Sequence, residues 1–184
     1  MINPKIKAFV LNVVIPIAIV SITIFSCSYI NSLQPHRQIE DYELEYYKDM
    51  AQVKQLFYDN KELFDAAASA LYSNDNFLEN GVWGDESIQA TVHKNIYLLT
   101  KDQQKTLVGF YQKIRPVYID FGGTTVEVCL RGTFDDKSAD ESYVLKYCLT
   151  DESYKVALEY FEFTKRYVDI EKLDDKWIVA KSVH

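Results

Sequence analysis

From residue 8 to residue 30 the chain carries no charged side chain, and only Asn12, Pro16 and a few Ser and Thr interrupt its apolar run. A membrane-crossing helix takes about 20 apolar residues, whereas the hydrophobic region of a signal peptide usually runs to about 7–15. The length predicts a retained single-pass anchor. Two processed alternatives stay open. Ile24-Phe25-Ser26-Cys27 resembles the lipobox of bacterial lipoproteins, with Ser26 small and Cys27 a candidate lipidation site, although Ile24 replaces the usual Leu and Phe25 is bulky. Ser26-Cys27-Ser28 also offers a small-x-small cleavage site. A buried core helix is the fourth reading, and the length speaks against it. Lys5 and Lys7 precede the run, and the positive-inside rule keeps that end cytoplasmic. The expected organisation is a membrane segment (1–30), a tether (31–38) containing Pro35, His36 and Arg37, and one domain (39–184) outside the cytoplasm, in a cell envelope.

Beyond residue 30 the chain holds 18 basic against 27 acidic side chains, a balance of −9, with no run of Lys and Arg interleaved with aromatics. Such a field repels phosphate backbones, so nucleic acid is not an expected partner. The scarcity of Gly and Pro, 6 and 4 residues, favours regular structure with few long loops.

Tyr46, Met50, Val53, Phe57, Asn60, Phe64, Ala67 and Leu71 recur at spacings of four and three, predicting a helix over 41–71. Asn60 is the polar member of this stripe, and the helix either continues through it or breaks there. Residues 73–86 read as a loop around Trp83, which either touches a ligand or, more commonly for a Trp, folds over a core edge. A strand is expected over 88–99. Thr100 and Gln103 have capping-box spacing and open a helix to about residue 113, with Leu107, Phe110, Tyr111 and Ile114 on its apolar face and Pro116 beyond it.

Strands follow at 117–121, 124–131 and 143–149, with Gly122-Gly123 as a hairpin turn. Residues 151–161 fit either a short helix or irregular chain. A closing hairpin spans 163–173 and 176–183 around Asp174-Asp175, with Val168 and Ile170 on one face and Trp177 and Val179 across from them. The expected fold is α+β: after the membrane segment, a long helix and a second helix packed on one side of a curved antiparallel sheet of about 4–6 strands. This order of elements resembles the cone-shaped NTF2-like or cystatin-like superfolds. Such folds host enzymes, binders and scaffolds alike, so the resemblance implies architecture and no activity.

Candidate chemistry is sparse. Cys129 and Cys148 fall on adjacent strands of an exported domain and form the candidate disulfide. Two registers are open: one pairs the cysteines but sets Arg131 against Lys146, and one slipped by four pairs Glu127 with Lys146 and separates the sulfurs. His93 is the histidine placed to act as an acid or base, but no nucleophile setting accompanies it, and a solvated strand histidine explains it better. Glu40-Asp41-Glu43-Glu45, Asp135-Asp136 and Asp174-Asp175 lack the loop pattern of a calcium site and read as solvated faces and turns. There is no P-loop, dinucleotide fingerprint or HExxH, so neither cofactor nor metal is expected. The diffuse lead is aromatic: Tyr97, Tyr111, Tyr118, Tyr143, Tyr147 and Tyr167, with Trp83, are candidates to line a concave ligand pocket, against the plainer reading that they serve packing.

Three functions are weighed. The first is a non-enzymatic, membrane-tethered binding or interaction domain for a small apolar ligand, a peptide or another envelope protein. The second is a small extracytoplasmic enzyme of hydrolase or isomerase type in a cone-shaped fold, for which a desolvated Asp, Glu or His in a sheet pocket would speak. A filled sheet face would remove both pocket ideas and leave a structural spacer or assembly subunit, marked by an exposed apolar patch.

Overall fold

The computed structural model describes residues 45–73, 90–122, 124–132 and 141–183, together with isolated positions before residue 45. Apart from such positions, the predicted membrane segment and tether lie outside the described residues, as do Cys27, His36, Trp83, Asp135-Asp136 and His184. Among the described residues no helix is long and apolar enough to cross a membrane.

Tyr46 and Tyr47 form β1 (Tyr46–Tyr47) instead of belonging to the helix expected over 41–71, whose first residues, 41–44, lie outside the described residues. Asp49 then caps α1 (Met50–Asp59) by accepting the Gln52 N–H at 2.9 Å, which fixes the helix start. The predicted long helix breaks at Asn60: its backbone leaves helical geometry at φ −127°, and its side chain donates to the Leu56 carbonyl at 2.9 Å. Helix α2 (Lys61–Tyr72) follows. Among the described residues of the strand expected over 88–99, β2 (Ala90–Thr91) is extended, and residues 92–98 wind into a short α3 (Val92–Asn95) and a 3₁₀ turn (Ile96–Leu98). The capping box forms as its spacing predicts, Thr100 and Gln103 bonding reciprocally at the start of α4 (Lys101–Ile114).

Next come β3 (Tyr118–Phe121), β4 (Thr125–Gly132), β5 (Glu141–Cys148), α5 (Asp151–Phe163), β6 (Tyr167–Lys172) and β7 (Trp177–Val183). Residues 151–161 are therefore helical. A second capping box, Thr150 with Ser153, starts α5. The sheet curls as a half-barrel with strand order β2-β3-β4-β5-β7-β6. It is mixed and not purely antiparallel, because β1 joins β4 in parallel at Arg131 and Gly132. A Cβ on Gly132 would stand 2.9 Å from the Glu141 backbone, so only glycine lets the strands close at this end.

Register sorts the side chains into two layers. Ile119, Phe121, Val126, Val128, Leu130, Tyr143, Leu145, Tyr147, Trp177 and Val179 face α1, α2 and α4 in one continuous core, the inner face. At its centre the rings of Phe57, Phe64 and Trp177 meet pairwise with centroids 5.3–5.6 Å apart, and Phe110 stands edge-on to Phe64 at 5.0 Å. The outer face carries Val144, Cys148, Ile178 and Ala180, covered by Ala157 and Phe161 of α5. Helices thus lie on both faces, where one side was expected; α5 has a second apolar stripe of the sheet to bury.

The closing hairpin turns where predicted, with the Asp174 carboxylate accepting the N–H groups of Lys176 and Trp177. Val168 and Ile170 do not share a face. Between Val168 and Glu171 the register shifts so that Asp169 and Ile170 oppose Ala180 alone, a bulge made by Asp169 at φ 51°. The extra residue turns Ile170 to the outer cluster and leaves Val168 40% exposed.

Candidate functional site

The predicted tyrosine pocket does not assemble. Tyr118 lies opposite Cys129 on the outer face, and Tyr147 opposite Trp177 on the inner face. Tyr111 is buried in α4, where its hydroxyl accepts the Ile119 N–H at 3.2 Å. Tyr97 is 69% exposed on the 3₁₀ turn. Tyr143 is a fully buried inner-face residue, and Tyr167 packs against Phe161 and Tyr160 of α5 on the outer side. The inner face, which a ligand would have to enter, is filled by the aromatic core. His93, expected on a strand, sits half-buried in α3.

The candidate disulfide is not formed: Cys129 and Cys148 are both free and buried. The register is the slipped one, with Glu127 opposite Lys146, Cys129 opposite Val144 and Cys148 opposite Thr125. The favourable charge pair decides it, since the alternative would set Arg131 against Lys146 on a face closed to solvent. Burial pushes each thiol up to about 11; hydrogen bonds from Tyr118 and Ser142 pull Cys129 partly back, and the charge of Lys146 does the same for Cys148.

The pair that sets the register is itself the most unusual polar feature of the fold. Glu127 and Lys146 are 4% and 5% exposed, and Lys146 Nζ stands 3.1 Å from Glu127 Oε2. Tyr118 donates its hydroxyl to Glu127 Oε1 at 2.9 Å, so both carboxylate oxygens are engaged. Burial first, then the nearby Glu127 and Cys129, push the Tyr118 phenol far above its ordinary value and keep it a donor. Above Lys146 lie the rings of Tyr160 and Phe161, with centroids 4.4 and 5.0 Å from Nζ. With Oε1 engaged by Tyr118 and Oε2 by Lys146, and Lys146 lying under two rings of α5, this cluster fastens β3, β4, β5 and α5 to one another.

A second polar group lines an open cleft of about 440 Å³ between α2 and the β6–β7 turn. Lys61 bridges Asp65 and Asp174 at 2.6 and 2.9 Å, Asp65 accepts the Trp177 indole N–H at 2.9 Å, and Lys176 donates to the Tyr147 hydroxyl at 3.1 Å. Burial raises the Asp174 carboxyl, but bonds from Lys61, Lys176 and Trp177 together outweigh it and leave it below its ordinary value. These contacts clamp the closing hairpin to α2. Among the described residues no three His, Cys, Asp or Glu side chains gather as a metal site.

The feature that packing does not explain is on α5. Ser153, Ala157 and Phe161 point into the sheet, yet Val156, Tyr160 and Phe163, at spacings of four and three, form a second apolar stripe that is 61%, 46% and 85% exposed. Tyr160 is held there by Lys146 beneath it. Sequence reasoning missed this stripe because the apolar residues of α5 form one broad arc, with the charges Asp151, Glu152, Lys155, Glu159 and Glu162 on the remaining flank, so the sheet-facing and exposed sets merge. The Thr150 cap followed by that run is the signal that points to a helix with two apolar faces. No family model matches the chain, and it matches no curated protein and no solved structure.

Proposed function

We propose that the chain is a membrane-tethered, extracytoplasmic protein-interaction domain of the cell envelope, without catalysis, whose working surface is the Val156-Tyr160-Phe163 stripe of α5. One observation carries the reading: the inner face is solid with aromatic side chains while an ordered helix offers large apolar side chains to solvent. Scattered exposed apolar residues need no explanation, but three aligned on one helix flank are the arrangement by which helices dock. The anchor belongs to the proposal and rests on the 23 uncharged residues from 8 to 30. The helices preceding a curled sheet support the finer likeness to the NTF2-like or cystatin-like cone, which brings no activity with it. The enzyme reading is weaker, because the desolvated carboxylate of Glu127 is spent on Lys146 and Tyr118.

The test is native mass spectrometry of the full-length protein extracted gently from membranes, wild type beside a V156S/F163S variant. The expected result is a protein complex that the variant loses while its melting temperature stays within a degree or two. A bare monomer in both overturns the reading, and a small-molecule adduct replaces it with a ligand-binding one.

A further inference from the structure

We infer that α5 is a lid: it unwinds on its own, uncovering the Glu127–Lys146 pair on the outer face, while the sheet and the inner helices stay folded. This goes beyond the interaction reading above and stands without it.

The helices are tied to the sheet in different ways. Each long inner helix has a polar bond to a strand: Lys54 of α1 meets Glu171 of β6 at 2.6 Å, Asp65 of α2 accepts the Trp177 indole N–H at 2.9 Å, and Tyr111 of α4 accepts the Ile119 N–H at 3.2 Å. Among the described residues α5 makes no ion pair, and its capping bonds are its own, Thr150 with Ser153. Its polar contact with a strand is the one between Tyr160 and Tyr167, where Tyr160 is nearly half exposed and water can take over. Ring contacts do the holding: Phe161 on Tyr167 with centroids 4.7 Å apart, and both Tyr160 and Phe161 over Lys146. The other two residues turned fully into the sheet, Ser153 and Ala157, are small.

What lies beneath lowers the cost of opening. Lys146 is paired across strands, so losing α5 strips it of two rings but leaves it with Glu127, and both charges regain the water they lost on burial. The geometry sets how the lid moves. Tyr167 stands level with Ser142 through Ser182, six residues along β5 from Cys148, a span of about 20 Å at the usual strand rise. The 13 residues of α5 cover about the same length. Tied at both ends to strands, the helix has no slack to swing aside as a rod. A helix this short is marginal away from a packing surface, so lifting and unwinding are one event.

The experiment is amide hydrogen exchange of the full-length chain in detergent, read by mass spectrometry for wild type, Ile119→Val and Phe161→Leu. In wild type the amides of 155–163 exchange at least ten-fold faster than the slowest of α4. Ile119→Val trims the inner layer, which the open form keeps, so exchange in α4 rises several-fold and exchange in α5 does not change. Phe161→Leu weakens the closed form alone and speeds α5 and α4 alike. If α5 exchanges no faster than α4, or speeds with it in Ile119→Val, the helix leaves only when the whole fold does and the lid is overturned. An α5 rate unmoved by Phe161→Leu overturns the ring contacts as what keeps it shut.

Discussion

The two faces of one sheet are buried by different means. The inner face is apolar throughout and sits under three helices, with rings interlocked around Trp177; the outer face mixes an ion pair, two thiols and a few aliphatic side chains under a single helix. An inner-face side chain is held by neighbours on every side. On the outer face one contact often stands between a buried charge and an unpaired one. The comparison teaches that burial alone does not rank these layers: the inner one resists by packing, the outer one by pairing.

The strongest way to break the inner layer is Trp177→Ala, which removes the ring against Phe57, Phe64 and Tyr147 and strands Asp65 without its indole donor. A loss of about 3–5 kcal/mol is expected in denaturant unfolding, with no recovery from any second substitution at Asp65. Lys146→Met should cost about as much, because Glu127 is left buried and unpaired, but here a second change repairs the damage: Glu127→Leu with Lys146→Met returns to within about 1–2 kcal/mol of wild type. A double variant as unstable as the single one would mean that the pair itself, and not the orphaned charge, holds the outer face.

The thiols sharpen the contrast through pH. Each is protonated when folded up to about 11, against an ordinary value of 9.0, so the folded state binds more protons than the unfolded chain in between and stability falls as pH rises from 9 toward 11. Cys129→Ala with Cys148→Ala should flatten that alkaline slope, measured as melting temperature against pH, and neither native thiol should react with iodoacetamide at pH 8. The smallest effect belongs to Thr150→Ala, which removes the cap of α5 for about 1 kcal/mol and loosens only the outer layer, visible as faster amide exchange over 151–163 than over α4.

What sequence could disclose follows the same division. Local chemistry was readable: Thr100 with Gln103, Gly122 before its hairpin and Asp174 at the last turn all act where their spacing predicts, since each needs only its near neighbours. Decisions that depend on the far side of the sheet were not. Tyr46 leaves the helical stripe to pair with Arg131, and the cysteine register is chosen by Glu127 and Lys146, nineteen positions apart. The α5 stripe hides because it borders the sheet-facing set, Ser153, Ala157 and Phe161, and only the position of the sheet separates the two.

The bulge at Asp169 has one more consequence. β6 is the last strand in the sheet order, and an end strand is a standing invitation to further strands and, through them, to fibrils. A left-handed aspartate in its middle twists that edge out of line and puts a charge where an incoming backbone would have to lie flat. Copies brought close together would therefore not zip into a continuous sheet through β6, however high their local concentration.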